Sequence, residues 1–254
     1  MTQVPAGDFN YETQGQGYAR VRRPDPRIAA LVHSALGAAR TVVNVGAGAG
    51  SYEPADRHVV AVEPSAAMRA QRPAEAAPAI RATAEDLPFD DDSFDAAMAT
   101  VTVHQWRDAA RGLAELRRVA RGPVAVLTFD GDELDRHWLA AYAPELIAAE
   151  RRRYPAVPVI AEAIGRTTDV IEVPIPRDCV DGFTEAFYAR PEAFLDPAVR
   201  AAQSAWGFVS AEATDRAVAM LRTDLESGEW DNRYGRLRRQ DWFLGSLRLL
   251  VGRP

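Results

Sequence analysis

The sequence predicts an α/β fold, a Rossmann-like, doubly wound and mostly parallel sheet that carries a helical lid. Short runs rich in valine and alanine alternate with helix-like segments along the chain. Such alternation builds βαβ units, which place a parallel sheet between two layers of helices. The strand-like runs are apolar at nearly every position, as strands buried on both faces are. We therefore expect ligands to bind beyond the carboxyl ends of the strands.

Each element follows from its apolar spacing and from the residues at its ends. The predicted strands are 41–45, 59–62, 79–82, 94–103, 124–129, 170–175 and 242–251. The predicted helices are 28–36, 66–72, 109–119 and 133–153, followed by a mostly helical region at 177–239. Gly37 is expected to end the first helix, and Ser65 to cap the second. Pro24 and Pro26 are expected to prevent any helix before residue 28.

A chain of 254 residues fits one domain with a cap. We expect a single domain over 1–254, with a Rossmann-like core at 29–176 and 240–254. The remaining segments, 1–28 and 177–239, are expected to form a lid or substrate cap.

Composition excludes several classes of protein. A hydrophobic fraction of 47% and a charged fraction of 26% are typical of a globular domain. The net charge of −6 argues against nucleic acid as a partner.

The sequence contains no lysine, which excludes a Schiff-base lysine and a Walker P-loop. Cys179, the single cysteine, can form neither an internal disulfide nor a multi-thiolate metal site. Without a long apolar stretch or a signal-like start, we expect a cytoplasmic protein that does not enter a membrane.

A glycine cluster follows the first predicted strand. Gly46, Gly48 and Gly50 would let a ligand approach the backbone closely. Their spacing is G-x-G-x-G, because Ser51 stands where the dinucleotide fingerprint requires glycine. This spacing argues against a dinucleotide-dependent oxidoreductase. Glu63 ends the second strand, where a carboxylate can accept hydrogen bonds from both hydroxyls of a ribose.

Four segments, taken in order, resemble the class I S-adenosylmethionine-dependent methyltransferases of the type 11 group, which includes quinone-biosynthesis C-methyltransferases. The segments are VNVGAGAG at 43–50, VAVEPS at 60–65 with Met68, ATAEDLPF at 82–89, and SFD at 93–95 leading to His104. The stretch LAELRRV at 113–119 also fits. The resemblance covers roughly residues 41–130 and is looser beyond them.

The resemblance implies S-adenosyl-L-methionine as the cofactor and a seven-stranded sheet with an antiparallel last strand. The implied cofactor-binding residues are Tyr18, Arg22, Gly46, Ala47, Gly48, Gly50, Glu63, Pro64, Met68, Ala84, Glu85 and Thr100. Glu63 would hold the ribose, Met68 would pack on the adenine, and Arg22 would approach the cofactor carboxylate. Two positions depart from the family pattern, since Asn44 replaces a usual acid and Thr83 replaces a frequent aspartate near the adenine amine.

The implied reaction is SN2 transfer of a methyl group to a small-molecule acceptor. His104 is the candidate catalytic residue, as a general base for acceptors that must lose a proton, although a packed structural histidine fits the sequence as well. The segment 176–183 either lines the acceptor pocket or caps the lid. No residue cluster is spaced for a metal ion. A protein that senses S-adenosylmethionine or binds a nucleotide without catalysis is the alternative, and a monomer or a homodimer is expected.

Overall fold

The computed structural model describes residues 22–254. The predicted cofactor contact of Tyr18 and most of the first lid segment therefore lie outside the described residues. Within residues 22–254, no helix is both long enough and apolar enough to cross a membrane.

Seven strands form the main sheet: β1 Thr41–Val45, β2 His58–Val62, β3 Ala79–Ile80, β4 Ala96–Thr100, β5 Val124–Phe129, β6 Thr167–Glu172 and β9 Leu247–Arg253. Two short strands between β6 and β9, β7 Ile175–Pro176 and β8 Trp242–Phe243, pair with each other in a separate sheet. The order of the main sheet is β3-β2-β1-β4-β5-β9-β6. The first five pair in parallel, whereas β9 runs antiparallel to both β5 and β6. This arrangement confirms the predicted Rossmann-like sheet and its antiparallel last strand.

Eight α-helices in the described part of the chain accompany the sheet. They are α1 Pro26–Ala35, α2 Ala66–Arg69, α3 Ala109–Arg118, α4 Pro144–Arg153, α5 Val157–Ile164, α6 Pro197–Ala201, α7 Ala211–Ser227 and α8 Glu229–Tyr234. Short 3-10 turns join several of them. The side chain of Ser65 accepts a hydrogen bond from the Met68 N–H, as predicted for the cap of α2.

The two faces of the sheet pack into two apolar clusters. Successive strand residues alternate between them, with Val42 in the first cluster and Val43 in the second. The second cluster includes the buried residues of α3 and α5. The first cluster includes α1 and α4 together with the aromatic side chains of the segment 183–237. Burial on both faces explains why the strands are apolar at nearly every position.

Several predictions of local structure were wrong. The predicted strands 94–103 and 170–175 are Ala96–Thr100 and Thr167–Glu172 in the structure. Residues 133–153 form two 3-10 turns at 131–136 and 138–141 before α4, which begins at Pro144. Pro26 starts α1 instead of preventing it, because a proline at the first helical position needs no hydrogen-bond partner for its nitrogen. The helix α5 was missed. Residues 242–251 are divided between β8 Trp242–Phe243, which pairs with β7 Ile175–Pro176 in a separate small sheet, and β9.

Candidate functional site

The loop after β1 turns sharply at its glycines. Gly46, Gly48 and Gly50 have φ values of 70°, 52° and 94°, in the left-handed region that favours glycine. The N–H groups of Gly46 and Ala47 both donate to the Val62 carbonyl at 2.9 Å, which ties the loop to the end of β2. A Cβ on Gly46 would overlap the Thr102 side chain, so only glycine fits there.

Glu63 connects the loop to the start of α2. Its Oε2 accepts a hydrogen bond from the Gly48 N–H at 2.8 Å, and its Oε1 accepts one from the Ser65 N–H at 2.8 Å. The side chain is 7% exposed, and this burial raises the pKa of the carboxyl group against the opposing effect of those two hydrogen bonds. A carboxylate offers about four lone-pair sites, so sites remain for ligand hydroxyls.

Other residues predicted to bind the cofactor surround the same loop. Met68 is buried, and its Cε lies 3.3 Å from the place that a Cβ on Gly48 would occupy. The Nη1 of Arg69 donates to the carbonyls of Glu63 and Pro64, each at 2.8 Å. The structure therefore brings Gly46, Ala47, Gly48, Glu63, Pro64 and Met68 together.

A buried ion pair under the loop escaped the sequence analysis. Arg72 Nη2 lies 2.8 Å from Glu53 Oε2, and Asn44 Nδ2 donates to Glu53 Oε1 at 3.0 Å. Asn44 is fully buried where the related family has an acid, so Glu53 supplies a carboxylate beside it. The only feature of the sequence that could have indicated this pair is Glu53 itself, a glutamate three residues after Gly50.

The remaining predicted contacts lie on the next loops along the same edge. Ala84 is buried, and Glu85 Oε1 accepts a hydrogen bond from the Asp108 N–H at 3.2 Å. Thr100 ends β4 opposite Leu127. Val101, which follows, has a φ of 52°, a strained conformation for a β-branched residue of the kind that clusters at functional sites.

Arg22 contacts the segment 176–183, which also contacts the region just after the glycine loop. Its Nε donates to Asp181 Oδ1 at 2.7 Å, and the Tyr52 hydroxyl donates to Asp181 Oδ2 at 2.7 Å. Asp25, which caps α1, also accepts a hydrogen bond from the Val180 N–H. The segment 176–183 therefore joins the start of the described chain to the glycine loop.

A narrow cavity, open to solvent, lies beside the end of β4. Aromatic side chains form much of its wall, with ring centroids of Phe129 lying 5.6 Å from Tyr154 and 5.4 Å from Phe183. Val101 also lines it. Since the side chain of Thr102 lies against Gly46, the segment after β4 borders both the loop and the cavity.

His104 lines this cavity and is 8% exposed. Its ring centroid is 4.6 Å from that of Tyr154. Burial, with smaller contributions from the cations Arg153 and Arg22, lowers the pKa of His104 well below its usual value. The imidazole is therefore neutral at pH 7. Its role in catalysis stays a prediction.

No cluster of three or more histidine, cysteine or acidic side chains suitable for a metal ion occurs within residues 22–254.

A family model described as a methyltransferase domain matches residues 43–125, which include the glycine loop, Glu63 and His104. A search of curated protein sequences finds no significant match.

Solved structures give a longer similarity. The chain is similar to a candidate methyltransferase from an antibiotic biosynthesis pathway of Anabaena variabilis, with 28% identity, a TM-score of 0.84, and 92% of this chain and 99% of that chain covered. A candidate type II methyltransferase from Anaeromyxobacter dehalogenans shares 23% identity, with a TM-score of 0.51 and coverage of 91% and 97%. Phosphoethanolamine N-methyltransferase 2 from Haemonchus contortus, in complex with S-adenosylhomocysteine, shares 14% identity, with a TM-score of 0.58 and coverage of 99% and 60%. The last two similarities concern the fold alone.

Proposed function

Because the chain belongs to the class I S-adenosylmethionine-dependent methyltransferases of the type 11 group, we propose that it methylates a small-molecule acceptor held in the cavity beside β4. The observation that carries this proposal is the position of the segment after β4. Thr102 lies against Gly46 of the loop, while Val101 and His104 line the cavity. A methyl donor on the loop and an acceptor in the cavity would therefore meet across this segment.

The residues around the loop fit S-adenosyl-L-methionine. Glu63 keeps lone-pair sites for the ribose hydroxyls, and a side chain on Gly48 would enter the space above Met68. We assign Gly46, Ala47, Gly48, Gly50 and Thr100 to the methionine and ribose side, and Pro64, Met68, Ala84 and Glu85 to the adenine side. Bound there, the cofactor supplies an electrophilic methyl group. Arg22, which is paired with Asp181, would approach the cofactor carboxylate.

The protein's contribution to the reaction is position and the exclusion of water. The strained turn at Val101 fixes the border between loop and cavity. The aromatic wall of Phe129, Tyr154 and Phe183 presents an apolar surface to a flat acceptor. The same proposal assigns 29–176 and 240–254 to the Rossmann-like core and 1–28 and 177–239 to the lid.

Two measurements test this function. Titration calorimetry should show binding of S-adenosylhomocysteine and no binding of NAD. Incubation with S-adenosylmethionine and a library of small acceptors, followed by mass spectrometry, should show a product that has gained one methyl group in place of hydrogen. Cofactor binding without turnover of any acceptor would favour a sensor of the cofactor instead.

A further inference from the structure

The cavity presents a hydrogen-bond donor at Gln203. This side chain is 5% exposed, and its Oε1 accepts hydrogen bonds from Thr184 Oγ1 at 2.9 Å and Trp206 Nε1 at 3.3 Å. Because an indole N–H can only donate, the amide orientation is fixed. Its Nε2 is buried and has no partner among the described residues. Leaving a buried donor without a partner is costly, and a ligand that accepts its hydrogen bond can recover that cost.

A second donor comes from His104. Gln105 Nε2 lies 3.2 Å from His104 Nε2. With the Gln105 amide oriented as it is in the structure, its NH₂ group donates to this imidazole nitrogen, which assigns the proton of the neutral ring to Nδ1. Nδ1 is buried, again with no partner within residues 22–254. His104, which lines the cavity, therefore carries a buried N–H group without a partner among these residues, while its other ring nitrogen contacts Gln105.

Two buried arginines lie close to His104, and each is paired with a carboxylate, Arg22 with Asp181 and Arg153 with Glu150. Arg22 and Glu150 line the cavity, and Arg153, which pairs with Glu150 at 2.9 Å, lies next to Tyr154. The charged side chains whose fields lower the pKa of His104 are the two arginines, Arg153 and Arg22. Both cations are less than one-eighth exposed, so solvent screens them poorly.

From these contacts, and resting on the proposed function, we propose that the acceptor is an oxyanion on a flat conjugated frame, a phenolate or an enolate, whose oxygen accepts hydrogen bonds from His104 Nδ1–H and Gln203 Nε2–H. The aromatic wall suits the flat frame. The acceptor loses its proton to solvent before it binds. Its electron pair then forms a bond to the methyl carbon, while the carbon–sulfur bond of S-adenosylmethionine breaks and leaves its pair on sulfur. His104 is on this view a binding donor and not a general base.

The first experiment measures binding to the protein loaded with S-adenosylhomocysteine. The anions of 4-nitrophenol and 2-hydroxy-1,4-naphthoquinone are compared with their neutral counterparts, nitrobenzene and 1,4-naphthoquinone. At least one anion should bind ten times more tightly than its counterpart. Gln203→Glu, which replaces the donor by a charged oxygen, and the uncharged Gln203→Met should both remove this preference. Gln240→Glu adds the same charge at a residue that does not line the cavity and should keep it.

The second experiment separates a donor from a base at His104. Asparagine can place an amide N–H near the position of His104 Nδ1, but it cannot take a proton near pH 7. His104→Asn should therefore retain most of the anion preference, whereas His104→Ala should lose it. The absorbance of bound 4-nitrophenol should also show a pKa lower than in free solution for wild type and His104→Asn.

Several results would overturn the assignment. One such result is equal affinity for the anions and their neutral counterparts, and another is binding of neither. A third is an equal loss of the anion preference in His104→Asn and His104→Ala. The proposed function would still stand if S-adenosylhomocysteine bound and an acceptor gained a methyl group. Failure of S-adenosylhomocysteine to bind would instead count against the proposed function itself.

Discussion

The Tyr52 hydroxyl donates a 2.7 Å hydrogen bond to Asp181 across 129 positions of sequence. Tyr52 lies two residues after Gly50 of the glycine loop, and Asp181 lies in the segment 176–183. Burial and the adjacent carboxylate raise the pKa of Tyr52, so the phenol stays protonated and remains a donor. Because Asp181 also accepts a hydrogen bond from Arg22 Nε at 2.7 Å, one carboxylate joins the region after the glycine loop to the start of the described chain.

Tyr52→Phe should therefore affect both stability and cofactor binding. Losing a buried hydrogen bond to a charged group should lower the free energy of unfolding by about 2 kcal/mol, and loosening the loop should weaken S-adenosylhomocysteine. Tyr142→Phe is the matched control, since the Tyr142 hydroxyl donates to Asp224 of the helix α7 at 2.8 Å. It should lose stability and keep cofactor affinity. Denaturant unfolding would measure the stability of each variant, and calorimetry its affinity for S-adenosylhomocysteine. Unchanged affinity in Tyr52→Phe would argue that Asp181 does not couple the lost hydrogen bond to cofactor binding.

Gly48→Val should abolish binding of S-adenosylhomocysteine while the fold is retained. A β-branched side chain at a φ of 52° is strained, and its Cβ would lie 3.3 Å from Met68 Cε in the proposed ligand space. Gly37→Val is the control, because Gly37 has a φ of 57° and no atom within 4 Å of the added Cβ. It should show similar backbone strain and normal affinity by calorimetry. Equal affinities in the two variants would remove Gly48 from the cofactor site.

Glu63→Ala should weaken S-adenosylhomocysteine by about 1–3 kcal/mol, the range for losing charge-assisted hydrogen bonds. It should leave the choice of acceptor unchanged. Ser65→Ala serves as the control, because it removes the cap that Ser65 Oγ provides to the Met68 N–H at 3.2 Å but keeps the carboxylate. Calorimetry with both variants checks the assignment. Wild-type affinity with an altered acceptor would place Glu63 elsewhere than at the ribose.

Glu185 should make stability depend on pH. It is 2% exposed, both its oxygens lie 3.0 Å from the Ser246 nitrogen, and burial raises its pKa from 4.5 to about 7. A carboxyl group that holds its proton more tightly in the folded chain stabilises the fold at low pH. This contribution is lost as the pH rises from about 4.5 through about 7, and it amounts to about 3 kcal/mol.

Glu185→Gln cannot ionise, so its free energy of unfolding relative to wild type should increase by about 3 kcal/mol between pH 4.5 and pH 8. Urea unfolding at a series of pH values measures this difference. A difference that stays constant with pH would show that folding does not raise the pKa of Glu185 above its value in the unfolded chain.

Most of the sheet could be predicted because the strands are local and apolar. The structure reproduces the bounds of Thr41–Val45 and Val124–Phe129, since a run of β-branched residues buried on both faces carries its own signal. The α5 helix was missed because Pro158 obscured its pattern, although proline is tolerated in a first helical turn. The division between β8 and β9 falls at residues 244–246, where a Cβ on Gly245 would collide with Glu185 and Phe243.

The sequence by itself determined the order of the elements, the glycine loop and the place of Glu63, because these depend on neighbours in the chain and on the edge that parallel strands share. Only the tertiary structure decided that Glu53 and Arg72 pair beneath the loop, that Asp181 joins Tyr52 to Arg22, and that His104 and Gln203 line one cavity. These relationships connect residues up to 159 positions apart. A hydrogen bond needs two atoms within about 3 Å, and the spacing of residues along a chain carries no record of such long-range distances.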